Sequence, residues 1–344
     1  MTGRKKRKKK LWLIPVCVAA AAALAVGFLV FRTVRPGEQA QETGGNADAD
    51  TPDAGTVIWE GKEYQYNDHL SNYLLLGIDT REKAETSVGQ ADAGQADALY
   101  LLSWDRVEKT VSVVTIPRDT MTEVEAFGPG GESLGKSEDH ISLSYAYGDG
   151  GHESCRLTEE AVSDLLYGLP IQGYCAVNLD GIPVLTESVG TVTVTVPNDS
   201  MEEAYPEFSE GAQVTLDKEN TELFVRYRDT STPQSALART ERQKEYIRAF
   251  GEAAQKKAAD GTAFAAELYM ALEPYMVTSM GNDEFVKLME SAAAGSVTEN
   301  WTVPGEGVQG KSYDEYHVDD DALYEKILET FYRETESGGR GEKP

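Results

Sequence analysis

Three uninterrupted apolar runs dominate the hydrophobic pattern in the body of the chain. They cover residues 72–78 (NYLLLGI), 98–104 (ALYLLSW) and 111–116 (VSVVTI). Continuous runs of this length, rich in Leu and β-branched residues, predict strands of a sheet that is covered on both faces. Pro117 cannot extend a strand ladder, so the third strand is expected to end there and to lead directly to Arg118.

After residue 150 the pattern alternates between strand and helix periods. A continuous run predicts a strand at 173–179, strict alternation in TVTVTV predicts a second at 191–196, and a short strand is expected at 301–303. Helices are predicted at 158–168, 181–188, 217–226, 236–258, 263–272, 283–293 and 320–332. Strands mixed with helices in this order predict an α/β fold with three layers.

Gly-rich and acidic stretches separate several of these elements. Residues 82–95 and 128–139 are expected to be loops at the mouth of the domain. Residues 57–66 predict a short hairpin with Gly61 and Lys62 in its turn.

The N-terminal region has the pattern of a membrane anchor. Residues 11–31 are 21 uncharged, mostly apolar residues, enough to cross a bilayer as a helix. Seven Lys and Arg residues precede this run, so the positive-inside rule places the N-terminus in the cytoplasm and the body outside. A cleaved signal peptide is the alternative, but the run is long for one and no clear cleavage site follows.

The predicted organisation therefore has five parts. They are a basic cytoplasmic tail (1–10), one transmembrane helix (11–31), an extracytoplasmic tether (32–68), a domain (69–335, with its core motifs at 70–255 and C-terminal helices at 256–335) and a polar tail (336–344).

Charge and cysteine content limit the possible functions. The net charge is −26 although the first ten residues are strongly basic, and an acidic body does not favour binding of nucleic acid. Of the three cysteines, Cys17 lies in the predicted span, and Cys155 and Cys175 lie in the exported body. A disulfide is possible there, although two separate core thiols are the expected state.

Arginines and carboxylates at the ends of the predicted elements suggest an anion site. Arg118 follows a core strand, and further arginines lie at the end of one helix (Arg226, Arg228) and on the next (Arg239, Arg242). Guanidinium groups bind phosphates bidentately. Asp79 and Asp97 border two core strands, and two carboxylates plus substrate phosphates can hold Mg²⁺. The alternatives are surface ion pairs for the arginines and turn residues for the aspartates.

The order of these motifs resembles the LytR-CpsA-Psr (LCP) family over about residues 70–255. The segments that carry the resemblance are NYLLLGID, ADALYLLSWD, VVTIPRDT, ISLSYAYGDGG, VNLDGIPVLTESVG, FVRYR and ARTERQ. The family implies an α/β/α domain with a mixed central sheet. It also implies transfer of a glycopolymer, such as a teichoic acid or capsular polysaccharide, from a polyprenyl-pyrophosphate lipid to peptidoglycan.

The resemblance also implies roles for individual residues. Asp79 and Asp97 match the carboxylates that bind Mg²⁺ (or Mn²⁺) in the family. The set that matches the catalytic, phosphate-contacting arginines is Arg118, Arg226, Arg228 and Arg239. Further substrate contacts are expected from Gln243, Arg81, His140 and Arg242.

Three departures from the family pattern bear on activity. Gln95 replaces a usual Arg, His140 and Ser142 replace a usual Lys and Asn, and Ala236 replaces a usual Asp. That Asp is a plausible base or orienting group, and Asp229 is a carboxylate close to it in sequence. Two alternatives to transfer therefore stay open: hydrolysis of the lipid pyrophosphate in the same pocket, and binding of the lipid without turnover by a regulator of envelope assembly.

Overall fold

The computed structural model describes residues 55–81, 86–229, 235–259, 263–294, 296–311 and 313–335. The predicted basic tail, transmembrane segment and polar tail lie outside these residues. Within the described ranges, no helix combines the length and the hydropathy that crossing a membrane requires.

The described residues contain strands and α-helices in a mixed order. The strands are β1 (Thr56–Trp59), β2 (Lys62–Tyr66), β3 (Leu70–Ile78), β4 (Ala96–Asp105), β5 (Thr110–Ile116), β6 (Met121–Phe127), β7 (Ser133–His140), β8 (Gly173–Asn178), β9 (Val192–Thr195), β10 (Gln213–Leu216), β11 (Met276–Thr278), β12 (Ser296–Thr302), β13 (Gly305–Gln309), β14 (Asp314–Val318) and β15 (Tyr332–Glu334). The helices are α1 (Leu143–Ala146), α2 (His152–Leu165), α3 (Gly181–Val189), α4 (Thr221–Arg226), α5 (Ser235–Ala259), α6 (Phe264–Leu272), α7 (Asn282–Ala294) and α8 (Asp320–Phe331).

A six-stranded mixed sheet, in the order β11-β8-β3-β4-β5-β12, forms the centre of the domain. β3 runs antiparallel to β4, and β4 runs antiparallel to β5. The parallel pairs are β3 with β8 and β5 with β12. The mixed α/β fold expected from the sequence is therefore present in the described residues.

Each face of this sheet packs against its own layer of helices. Along β3, Leu74 and Leu76 belong to the core that includes residues of α2 and α8. Tyr73 and Leu75 belong to the opposite core, which includes residues of α3, α5, α6 and α7. Because successive side chains of a strand point to opposite faces, one continuous apolar run supplies both cores.

The three apolar strands predicted at 72–78, 98–104 and 111–116 are confirmed as β3, β4 and β5. The loop predicted at 128–139 was wrong for its second half, because β7 pairs with β6 in an antiparallel hairpin. Most of β7 is polar and exposed, so no hydrophobic period indicates this strand. Of the other predicted loop, residues 82–85 lie outside the described residues.

The first and last strands of the domain belong to one three-stranded sheet, in the order β1-β2-β15. The hairpin predicted at 57–66 is present as β1 and β2, and β15 pairs with β2. β1 and β2 both lie within the segment assigned to the tether, so ordered structure starts before residue 69.

Cys155 and Cys175 are both free and buried. They belong to different cores, on opposite faces of the central sheet. The structure therefore has two separate core thiols, as expected.

Candidate pyrophosphate and metal site

Three predicted site residues meet at one end of the central sheet. Asp79 follows the last residue of β3, Asp97 is the second residue of β4, and Arg118 lies two residues after the end of β5. Because β4 is antiparallel to both neighbours, its first residues lie beside the last residues of β3 and β5. The topology thus brings together residues that are up to 39 positions apart in the sequence.

Arg118 is held by three acceptors. Its Nη1 is paired with Asp97 Oδ1, its Nη2 donates to Gln95 Oε1 at 2.9 Å, and its Nε donates to Asp119 Oδ1 at 3.1 Å. Its side chain retains 25% exposure, so the guanidinium is fixed in direction but still accessible from one side.

Asp79 is fixed by the backbone that precedes β4. The backbone N–H of Gln95 donates to Asp79 Oδ1 at 2.6 Å, and the N–H of Asp79 donates to the carbonyl of Gln95 at 3.1 Å. Burial raises the pKa of Asp79, while the positive charges of Arg118 and Arg226 oppose this effect.

Asp97 is the most enclosed acid of the site, with 1% of its side chain exposed. Burial raises its pKa to about 7, against the attraction of Arg118 and Arg239. Among the described residues, its buried Oδ2 has no hydrogen-bond partner. A carboxylate oxygen in this situation is suited to a cation or a donor from a ligand.

Arg239, near the start of α5, is a buried cation with unused donors. Neither Nε nor Nη1 has a hydrogen-bond partner among the described residues. Burial lowers its pKa to about 10; Asp97 favours the charge, and Arg228 and Arg118 repel it. These electrostatic couplings place Arg239 in one cluster with Asp97, Arg118 and Arg228.

Arg242 and Gln243 hold the end of α4 rather than opening toward the site. Arg242 Nε donates to the carbonyl of Phe224 at 2.9 Å, and its other nitrogens are paired with Ser200 Oγ and the carbonyl of Tyr227. Gln243 Nε2 donates to the carbonyl of Val225 at 3.1 Å. These contacts fix the backbone that carries Arg226 and Arg228, so the geometry favours a positioning role for both side chains.

Arg81 and Arg226 share one carboxylate. Glu222 Oε1 is paired with both guanidinium groups, and Arg81 also donates to Asp180 at 2.9 Å. Burial alone would raise the pKa of Glu222, but hydrogen bonds from the two arginines outweigh it and lower this pKa. Arg81 is thus at the exposed margin of the site, connected to it through Glu222 and Arg226.

His140 lies at the end of β7 and its ring contacts the β13–β14 hairpin. Nε2 is 2.9 Å from the carbonyl oxygen of Asp314, and the ring packs edge-to-face against Tyr313. The neighbouring backbone N–H of Ser142 donates to the carbonyl of Arg118 at 3.3 Å. The described contacts of the His140 ring are with Asp139, Tyr313 and Asp314 and not with Arg118, and its predicted substrate contact stays a prediction.

The carboxylate oxygens of Asp79 and Asp97 suit a hard cation only if a substrate supplies the remaining ligands of its coordination sphere. Within the described ranges, no group of three or more His, Cys, Asp or Glu side chains could hold a metal by itself. Asp79 and Asp97 supply oxygen ligands, including the unpartnered Oδ2 of Asp97. Mg²⁺ commonly combines one or two carboxylates with phosphate oxygens, so these residues fit a metal that arrives with a phosphorylated substrate.

Sequence reasoning missed residues that position the predicted ones. Gln95 was noted only as a departure, yet it contacts both Asp79 and Arg118. Glu222 was assigned to no role. An acid four positions before Arg226 on a predicted helix is a signal for an i,i+4 ion pair, whereas its pairing with Arg81 depends on tertiary structure.

Several known proteins are similar to this chain in sequence. The teichoic acid transferase TagU of Oceanobacillus iheyensis is 28% identical over 252 residues, which cover 72% of this chain and 70% of that protein. TagT of Bacillus subtilis is 29% identical over 259 residues, 72% of this chain and 71% of that protein. Both carry the name polyisoprenyl-teichoic acid–peptidoglycan teichoic acid transferase.

Among solved structures, B. subtilis TagV has a TM-score of 0.57 at 22% identity, covering 77% of this chain and 96% of that one. This likeness supports the fold. The model of the LytR_cpsA_psr family matches residues 37–330, which include every predicted site residue. Because this match spans most of the sequence, the chain belongs to the LytR_cpsA_psr family.

Proposed function

We propose that this protein is a membrane-anchored, extracytoplasmic phosphotransferase that moves a glycopolymer from a polyprenyl-pyrophosphate lipid to peptidoglycan. Similar proteins named as teichoic acid–peptidoglycan transferases support the reaction class. The anchor rests on the apolar run at 11–31 and its basic flank.

One observation carries the proposal: among the described residues, a buried cation and a buried acid of the same cluster each have side-chain atoms without a hydrogen-bond partner. Arg239 has two donors without an acceptor, and Asp97 has an oxygen without a donor, among the described residues. Leaving such groups unsatisfied is costly, so sites that contain them are typically completed by a ligand. A pyrophosphate accompanied by a divalent cation supplies an anion to Arg239 and a cation to Asp97.

The arginines would bind and orient the two phosphates. Arg118 is directed by Asp97, Gln95 and Asp119 before the substrate arrives, so little reorganisation of this side chain opposes binding. Bound Mg²⁺ or Mn²⁺, held by Asp79 and Asp97, would offset negative charge on the pyrophosphate. Arg242 and Gln243 of α5 hold the backbone that carries Arg226 and Arg228. These two arginines would bind the pyrophosphate from the side opposite to the metal.

In the transfer step, an acceptor sugar hydroxyl attacks the phosphorus that carries the glycan. A new P–O bond forms to the sugar, the bond to the bridging pyrophosphate oxygen breaks, and polyprenyl phosphate leaves. The arginines stabilise the charge that develops on the leaving phosphate. The hydroxyl proton would pass to a carboxylate, and Asp229, seven positions before Ala236, is the candidate to replace the missing acid.

A transfer assay tests this function. The full chain in detergent is incubated with Mg²⁺, a polyprenyl-pyrophosphate glycan and a peptidoglycan oligomer, with Arg118→Ala as the control. A phosphodiester-linked product that the control does not make supports the proposal. Release of phosphorylated glycan without linkage indicates a hydrolase, and lipid binding without either product indicates a regulator.

A further inference from the structure

We infer that Gln95 is a substrate-binding residue whose side-chain amide donates a hydrogen bond to a phosphate oxygen. The inference rests on the proposed function, because it concerns the same pyrophosphate site. Within that site it assigns a contact to a residue that neither the sequence motifs nor the relatives' names identify.

Arg118 determines which way the amide of Gln95 faces. A guanidinium group has only donors, so the atom that contacts Arg118 Nη2 at 2.9 Å must be the amide oxygen. The amide nitrogen, with two hydrogens, is therefore directed elsewhere. No described residue accepts a hydrogen bond from it, although Gln95 is half-buried. Arg118 thus leaves this amide with two donors available for a ligand.

The backbone around Gln95 fixes this amide between the two halves of the site. Its N–H and carbonyl are both bonded to Asp79, on the carboxylate side. The preceding Gly94 has φ +85°, and a Cβ there would lie 2.7 Å from Asp79 Oδ1 and would also clash with Thr80. Only glycine permits this close approach, which places the Gln95 side chain between Asp79 and Arg118.

The chemistry of this position matches a phosphate oxygen. Arg118 is oriented by three acceptors and Asp79 Oδ1 accepts from the backbone, so the side chains that flank the Gln95 amide are fixed in direction. A pyrophosphate bound by Arg239 and Arg118 presents acceptor oxygens only. Gln95 would therefore supply a neutral donor beside the charged donors of Arg118 and Arg239, and its contribution would depend less on salt than theirs.

Two substitutions separate this role from one that acts only through Arg118. Gln95→Glu keeps an oxygen for Arg118 but has no N–H, and Gln95→Met has neither. Gln213→Glu, on exposed strand β10, makes the same charge change away from the site and serves as the control. The full chain in detergent is titrated with inorganic pyrophosphate and Mg²⁺ by calorimetry, at low and at high salt.

We expect both Gln95 variants to bind pyrophosphate about 10-fold more weakly, the loss typical of a hydrogen bond to a charged group. The deficit of Gln95→Glu should shrink but persist at about 0.5 M salt, because salt weakens charge repulsion at a half-buried position only in part. Gln213→Glu should bind like the wild type, and equal melting temperatures should show that all variants are folded.

If Gln95→Glu bound pyrophosphate at high salt as tightly as the wild type, the inference would be wrong. The side-chain oxygen that contacts Arg118 would then account for the whole role of Gln95. Wild-type affinity in both Gln95 variants would overturn it as well. In either case, binding by the wild type would leave the proposed pyrophosphate site intact. If the wild type does not bind pyrophosphate, the proposed function fails together with this inference.

Discussion

Replacing Arg239 by Met should make the ligand-free protein more stable while removing its affinity for pyrophosphate. In the structure this guanidinium is buried, and two of its three nitrogens lack partners among the described residues. Met has a similar length and no charge, so the substitution removes an unsatisfied buried cation and leaves an apolar side chain in its place.

The size of the effect follows from the depressed pKa of Arg239. A fall of this pKa from the ordinary arginine value to about 10 corresponds to about 3 kcal/mol against the charged form in the folded state. Part of this free energy is regained in the variant, so its stability should rise by about 1–3 kcal/mol. For a domain of this size, that gain raises the melting temperature by about 2–6 °C.

Arg242 provides a matched control three residues further along α5. It is also buried, and burial lowers its pKa to about 10 as well. Its donors, however, are used by two backbone carbonyls and by Ser200. Arg242→Met would leave these acceptors unsatisfied, at about 1–3 kcal/mol each, and should lower the melting temperature.

The assay is thermal unfolding of both variants followed by near-ultraviolet circular dichroism, without Mg²⁺ or ligand. Pyrophosphate calorimetry on the same samples measures the loss of binding. A lower melting temperature in Arg239→Met, together with retained pyrophosphate affinity, would refute the reasoning. Arg239 would then be a structural residue like Arg242.

Three further predictions concern other groups of the domain. Because burial raises the pKa of Asp97 to about 7, above its unfolded value of about 3.9, the folded state binds this proton more tightly. In chelator, the melting temperature should therefore fall as pH rises from about 4 to about 7, and a fall of equal size in Asp97→Asn would contradict this assignment. Gly94→Ala should weaken Mg²⁺ binding measured by calorimetry in the presence of pyrophosphate, since its Cβ would displace the Asp79 carboxylate; unchanged affinity would show that this carboxylate is not a ligand. Cys155 and Cys175 should both react with a maleimide after denaturation without reductant and neither before it, whereas a loss of both thiols would indicate a disulfide.

The hydrophobic pattern by itself determined the framework of the domain. Continuous apolar runs predicted β3, β4 and β5, and helical periods predicted α5 to within a residue at each end. These predictions succeed because burial on both faces, or on one helix face, imposes a period that remains visible in the sequence. The second strand of the β6–β7 hairpin was missed because β7 is mostly polar and exposed, and its position comes from pairing with β6 rather than from an apolar face.

In the candidate site too, the sequence predicted some features and left others undetermined. The motifs identified Asp79, Asp97 and Arg118, and strand-end positions were sufficient to predict their chemistry. Composition and helical spacing could not separate Arg239 from Arg242, since both are arginines of one predicted helix; only the family resemblance gave them different roles.

Only the tertiary structure decided which arginine keeps its donors for a ligand. The carbonyls at the end of α4 lie against Arg242, and the buried acid of β4 lies within electrostatic reach of Arg239. Residue type fixes what a side chain can bind, which is why the sequence determined the chemistry of this protein. Which partner it finds depends on distances between elements far apart in the chain, and the packing of α4 and α5 beside the central sheet sets those distances.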